Sequence, residues 1–136
     1  MPNPRPTVRF LNPPTLPPPA GYSHVAEVSG GKLLFVSGQV ALDRGGNLVG
    51  PNDLAAQTRQ VFENLKAALE AAGTDFAHVL KLTFYLVDAS KISAVREVRD
   101  RFVDTRHPPA STAVEIRRLV QEDFLIEVDA VASVPA

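Results

Sequence analysis

The stretch HVLKLTFYLVD, residues 78–88, alternates two sets of side chains. Leu80, Leu82, Phe84 and Leu86 take one parity, and Val79, Lys81, Thr83, Tyr85 and Val87 take the other. Successive Cβ atoms of a strand point to opposite faces, so this period of two predicts a strand. One face is wholly apolar and the other half apolar. Such a strand belongs inside a sheet that is covered on both sides.

Helices flank it. Pro51-Asn52-Asp53 starts the first, with Asn52 or Asp53 as N-cap. Leu54, Val61, Phe62, Leu65, Leu69 and Ala72 then recur on one face, and Gly73 stops the helix as its C′ residue. Ser90 caps a second helix over 91–103, whose outer side pairs Arg96 with Asp100 and Glu97 with Arg101 at i,i+4. These charges read as a solvated face.

Further out, 24–28 and 32–37 read as two strands of a hairpin turned by Gly30-Gly31, and DRGGN at 43–47 is another turn. Pro108-Pro109 breaks the chain before a strand over 111–119. The last strand is FLIEVDAVA, 124–132. Phe124, Ile126, Val128, Ala130 and Ala132 face the helices, while Leu125, Glu127, Asp129 and Val131 share the other side. The order is β β α β α β β. Two helices are too few to cover both faces of this sheet, which predicts an α+β domain with both helices on one face. The open face keeps Val79, Val87, Leu125 and Val131, an apolar surface that fits burial against another copy of the chain.

The totals agree with one domain: 136 residues, 45% apolar and 21% charged. Residues 1–21 hold eight of the twelve prolines and form an extended arm packed on a domain of residues 22–136. The chain has no cysteine, which excludes disulfides, thiol nucleophiles and Cys-ligated metals. A net charge of -1 gives no basic surface for nucleic acid. No apolar run approaches a membrane span and no signal segment opens the chain, so the expected location is cytoplasmic.

Candidate chemistry is sparse. His24, His78 and His107 stand far apart with no second ligand at metal spacing, so no metal site is expected. No glycine run has phosphate-loop spacing, and no serine sits in G-x-S-x-G. Polar residues on strands remain. Ser111, Ala113, Glu115 and Arg117 share one parity, and Glu127 and Asp129 share another. If the last two strands pair, Glu127 approaches Glu115 or Arg117, and an ordinary cross-strand ion pair is the plainest outcome.

GYSHVAEV, LLFVSGQVALD, QTRQVFENLKAALEAAG, VLKLTFYLVD, PPASTAVEI and IEVDAVA, in that order, together resemble the RidA/YjgF family of reactive-intermediate deaminases. The resemblance runs from about residue 12 to about residue 133. It implies a chorismate-mutase-like α+β fold and a homotrimer with sites in clefts between subunits. It also implies hydrolysis of enamines and imines to ammonia and a keto acid, with no metal or cofactor. By the same resemblance, Tyr22 opens the site, Ser37-Gly38-Gln39 lines it with backbone, and Glu127 holds or activates water. Deaminating members usually carry an arginine where Ser111 stands, to grip the substrate carboxylate, and often a cysteine where Ala113 stands. Ser111 lacks that charge, which makes amino-acid-derived imines doubtful substrates. Arg106 and Arg117 are the nearby candidates to replace it.

Three readings therefore compete. The first is an imine or enamine hydrolase that uses Glu127 and Tyr22. The second is a non-catalytic trimer that binds a small ligand or a protein. The third, a ribonuclease, is disfavoured by the near-neutral charge and the lack of a histidine pair.

Overall fold

In the computed structural model, residues 7–135 are described; the first six residues of the proline-rich arm lie outside them. The strands are β1 (Thr7–Leu11), β2 (Val25–Ser29), β3 (Lys32–Gln39), β4 (Val79–Leu86), β5 (Ala110–Glu115) and β6 (Ile126–Val134). The helices are α1 (Leu54–Ala71) and α2 (Ile92–Arg99). β3, β6, β4 and β5 form one mixed sheet in that spatial order, while β1 and β2 pair separately as an antiparallel ribbon. Both helices pack on one face of the sheet, as the sequence predicts.

The caps of α1 follow from its terminal residues. Asp53 is the N-cap, its carboxylate accepting from Ala56 N–H at 3.0 Å. At the other end Gly73, at φ +82°, donates to Glu70 C=O, and Thr74 donates to Leu69 C=O. These two bonds satisfy carbonyls the helix leaves open, and the left-handed residue between them favours glycine. α2 is shorter than its sequence suggests. A turn of 3-10 helix over Ala89–Lys91 precedes it, and the cap is Asp88, which accepts from Ser90 N–H at 3.0 Å, so Ser90 is not the cap.

The core lies between sheet and helices. Phe62 of α1 is fully buried and meets Phe76, Phe84 and Phe102 at ring-centroid distances of 5.9, 6.2 and 5.3 Å. Leu82, Phe84 and Leu86 of β4 and Ile126, Val128, Ala130 and Ala132 of β6 complete it. Burying one such large side chain contributes about 1.5–3 kcal/mol.

Three expectations are corrected. First, β5 lies beside β4 in parallel, so it does not touch β6, and the expected approach of Glu127 to Glu115 or Arg117 does not occur. The reason is topological: β4, α2 and β5 form a strand–helix–strand crossover, which delivers a parallel neighbour. Second, Gly30-Gly31 turns the chain with both φ positive, yet β2 and β3 enter different sheets because β2 pairs with β1 and β3 with β6. Third, Val79 is buried in the core, because a register irregularity between Val79 and Lys81 shifts the start of β4 by one residue. The large exposed apolar side chains of the open face are Leu33, Phe35 and Val114, at 56%, 73% and 39% exposure.

Gln57 joins these layers. Its side chain is fully buried, donates to Gly50 C=O at 3.1 Å and Asp123 C=O at 3.0 Å, and accepts from Leu125 N–H at 2.9 Å. Gln57→Leu keeps the volume but strands three backbone groups. Each costs about 1–3 kcal/mol when buried without a partner, so urea denaturation is expected to show a loss of ~3 kcal/mol or more. A loss below ~1 kcal/mol would show that water satisfies these groups.

Candidate functional site

The residues singled out from the sequence fall into two groups on opposite faces of the sheet. Glu127 is on the open face, opposite Tyr85 in register. Ser111 and Ala113 pair with Leu82 and Phe84, whose side chains enter the core, so they sit on the helix face. The expectation that Ser111 lies on the strand face beside Glu127 is therefore wrong within one chain. Parity gave the right neighbours along β5, but the sheet order places the two strands apart.

The first group is built by a bulge. Between Val36 and Gln39, β3 has one residue more than the facing stretch of β6, Ala130 to Val128. The ladder opens at Ser37-Gly38, and bulges of this kind re-aim side chains beside functional sites. Gly38 abuts Glu127 so closely that a Cβ on it would lie 2.5 Å from Glu127 Oε2 and 2.9 Å from its Cγ. The absence of a side chain at Gly38 is what admits the carboxylate. Glu127 is half-buried and has no ion-pair partner among the described residues. Gln39 turns its side chain back on Ser37 C=O at 3.1 Å. Nearby, Tyr85 donates to Asp129 at 3.1 Å. That hydrogen bond, and then the Asp129 charge, hold the phenol above its usual pKa, so Tyr85 stays protonated.

The second group surrounds a cavity of about 170 Å³ between β5, α2 and the segment before β2. Tyr22, Phe84, Ile92, Val95, Ser111 and Ala113 line it, together with Arg96 and Arg99. Tyr22 reaches it because Ser23 is stitched to the start of β5. Ser23 N–H donates to Pro109 C=O at 3.0 Å, its hydroxyl to Pro108 C=O at 2.6 Å, and Ser23 bridges Ala110 in parallel. His24 meets the Tyr22 ring edge-on at 5.3 Å and bonds Pro17 C=O at 2.7 Å. Of the two arginines expected to replace the missing cation, Arg106 sits 3.7 Å from Asp104, and neither it nor Arg117 lines the cavity.

Arg96 and Arg99 were missed. The sequence reading paired Arg96 with Asp100, but Asp100 is taken by Arg99 at 2.9 Å. The one available signal was their i,i+3 spacing, which puts both guanidinium groups on one side of α2.

Two helices on one face of a mixed sheet, with a glycine bulge against a strand carboxylate, define the class: a small α+β protein with the Rid-type fold. The chain belongs to the RidA/YjgF family, whose family model, described as Endoribonuclease L-PSP, matches residues 14–134. It is 40% identical over 111 residues to protein DfrA of Myxococcus xanthus, covering 82% of this chain and 83% of that one. It is also 40% identical over 117 residues to a RutC family protein of Pyrococcus horikoshii, covering 85% and 90%. Among solved structures, a Rid-family protein of unknown function from Yersinia pestis superposes with a TM-score of 0.85 at 35% identity, over 93% of this chain and 98% of that one. RidA from an Antarctic Psychrobacter superposes at 0.70 with 30% identity, over 85% and 89%.

The contact between Gly38 and Glu127 makes a direct test. In Gly38→Ala the carboxylate has to leave its rotamer, at a cost of about 1 kcal/mol. The expected outcome is a folded protein, by circular dichroism, whose crystal structure shows Glu127 turned away from β3. An unmoved Glu127 would mean that the β3 backbone yields instead.

Proposed function

We propose that the protein hydrolyses the C=N bond of a small imine or enamine in a cleft built by two copies of the chain. The observation that carries this reading is the Glu127 carboxylate, held against Gly38 with no cationic partner among the described residues. A carboxylate in that position accepts a hydrogen bond from water and takes its proton as the oxygen attacks the imine carbon. The electron pair of the C=N bond moves to nitrogen, which takes that proton from Glu127 to give a carbinolamine. The carbinolamine then collapses: Glu127 carries the hydroxyl proton to the nitrogen, the C–N bond breaks, and ammonia and a carbonyl compound leave with Glu127 again ionised. An enamine first tautomerises to the imine by protonation at carbon. Tyr22 would close the cavity and donate a hydrogen bond. The Ser37-Gly38-Gln39 backbone would line the water side.

A second copy is needed because one chain keeps Glu127 and the Tyr22–Ser111 cavity on opposite faces of its sheet. Association through the open face would bring one copy's Glu127 toward its neighbour's cavity. The exposed Leu33 and Phe35 support that association, since a monomer gains nothing from leaving them in water. A homotrimer is the assembly expected.

A second reading, a non-catalytic trimer that binds a small ligand, is favoured by Ser111, which brings no charge to the cavity. Ribonuclease chemistry has less support. Each histidine has a local partner: His24 with Pro17 C=O, His78 with Asp75 and His107 with Asp104. No two of them meet as an acid–base pair.

Light scattering should give three times the chain mass of 14.7 kDa. Phe35→Asp should abolish both the trimer and hydrolysis of imino acids generated in situ by an amino-acid oxidase. Glu127→Gln should keep the trimer while lowering kcat by about 10²–10⁴-fold. An active Glu127→Gln trimer would remove the proposed base, and a wild-type trimer without turnover would favour the binding reading.

A further inference from the structure

We propose that Arg96, supported by Arg99, anchors the anionic end of the ligand, so that helix α2 supplies the cation that β5 lacks at Ser111. The inference rests on the hydrolase reading for the reacting end of the ligand, but not for the anion itself.

The cavity holds two guanidinium groups and few carboxylates. Arg99 is only 7% exposed. Its Nε and Nη2 both go to one oxygen of Asp100, at 3.0 and 2.9 Å. A Cβ on Gly21 would lie 2.7 Å from Arg99 Nη2, so the guanidinium lies against the backbone next to Tyr22. A guanidinium has five N–H donors. Asp100 takes those of Nε and Nη2, and no nitrogen of Arg99 is buried without a partner.

Arg96 stands three residues earlier on α2 and lines the same cavity. It forms no ion pair among the described residues, because Arg99 occupies the carboxylate at its i+4 position. The lining therefore carries two cations and no carboxylate, and only Arg99 has an anionic partner. The small side chains of Ser111 and Ala113 leave the opposite wall open. An arginine at 111 would fill that space with a third cation. Ser111 and the free Arg96 are thus two halves of one arrangement: the charge is moved from strand to helix.

The shape selects a class of ligand. A cavity of about 170 Å³ holds a molecule the size of benzene, which fits an apolar cavity of ~150 Å³. Phe84, Ile92 and Val95 give it an apolar wall. A planar carboxylate pairs with a guanidinium through two parallel hydrogen bonds. The ligand so described is a small carboxylate with a short aliphatic side chain, which on the hydrolase reading is a 2-imino or 2-oxo acid.

Pyruvate and its uncharged counterpart acetone separate the anion from the rest, by calorimetric titration of the full chain. Wild type should bind pyruvate more tightly than acetone. Arg96→Gln should weaken pyruvate by about tenfold or more, the scale of a charged hydrogen bond, and leave acetone unchanged. Arg96→Lys should recover part of the loss, and the double variant Arg96→Gln, Ser111→Arg should recover most of it. Pyruvate binding that is unchanged in a folded Arg96→Gln, or that never exceeds acetone in wild type, overturns the proposal. Binding that depends on Arg96 in a protein without imine turnover upholds the anchor and sinks the hydrolase reading instead.

Discussion

The three hydrogen bonds of Gln57 set the register on which everything else depends. The side chain fixes Leu125 N–H at the entry to β6, two residues before Glu127. Leu125 C=O in turn accepts from Val87 N–H at 3.2 Å, where β4 ends. A slip of one residue in β6 would send Glu127 into the core and Ile126 into water. The fully buried residues of β6 resist such a slip, and Gln57 resists it at a single defined point. The cost of burying an amide is met because it bonds three backbone groups, two carbonyls and an N–H.

Given that register, the β3 bulge determines what Glu127 can do. A regular ladder through Ser37 and Gly38 would have paired these residues with β6 one to one. The extra residue opens the ladder, and the missing Cβ at Gly38 admits the carboxylate to the backbone. The same sheet places its acid on one face and its cavity on the other. A single chain thus keeps the carboxylate and the cavity on opposite faces of its sheet, and the proposed function would need a second chain to bring them together. The exposed Phe35 lies on the same face as Glu127, so under the proposed association the surface a second copy would cover is the one that carries the carboxylate.

Local order was legible in the sequence; lateral order was not. The α1 caps followed from Asp53 and Gly73, because capping uses side chains within a few residues of the helix end. The two faces of β4 followed from alternation. Periodicity, however, gives the face of a side chain and not the neighbour of its strand. β5 was therefore set against β6, although the helix between β4 and β5 already called for a parallel crossover. The Gly30-Gly31 turn is real, but partners far along the chain decided which sheet each flanking strand joined. The RidA/YjgF resemblance supplied Tyr22, Gly38 and Glu127, which composition alone did not. It also marks Ser111 as a loss, while the proposed replacement lies on α2. Arg96 was expected on a solvated face and is exposed, while Arg99, which no pattern singles out, is buried. Its guanidinium lies against Gly21, 78 positions away in the chain, and no local pattern reports that.

The position of Arg99 also links the anchor to the lid of the cavity. Its guanidinium lies where a side chain on Gly21 would be, and Gly21 adopts φ +76°, a conformation that glycine takes without strain. Gly21 therefore answers two demands, a left-handed turn and a close approach. Tyr22 follows immediately, and Ser23 is bonded to the Pro108-Pro109 bend. A cation on α2, a glycine turn and a proline bend thus hold the aromatic wall from three sides. Moving the charge from β5 to α2 keeps it next to that wall. It also changes the direction from which an anion is held: the pull comes from the helix layer rather than from the strand. A ligand carboxylate held there would sit on the helix face of the sheet, so a Glu127 that reaches it would have to come from a neighbouring subunit.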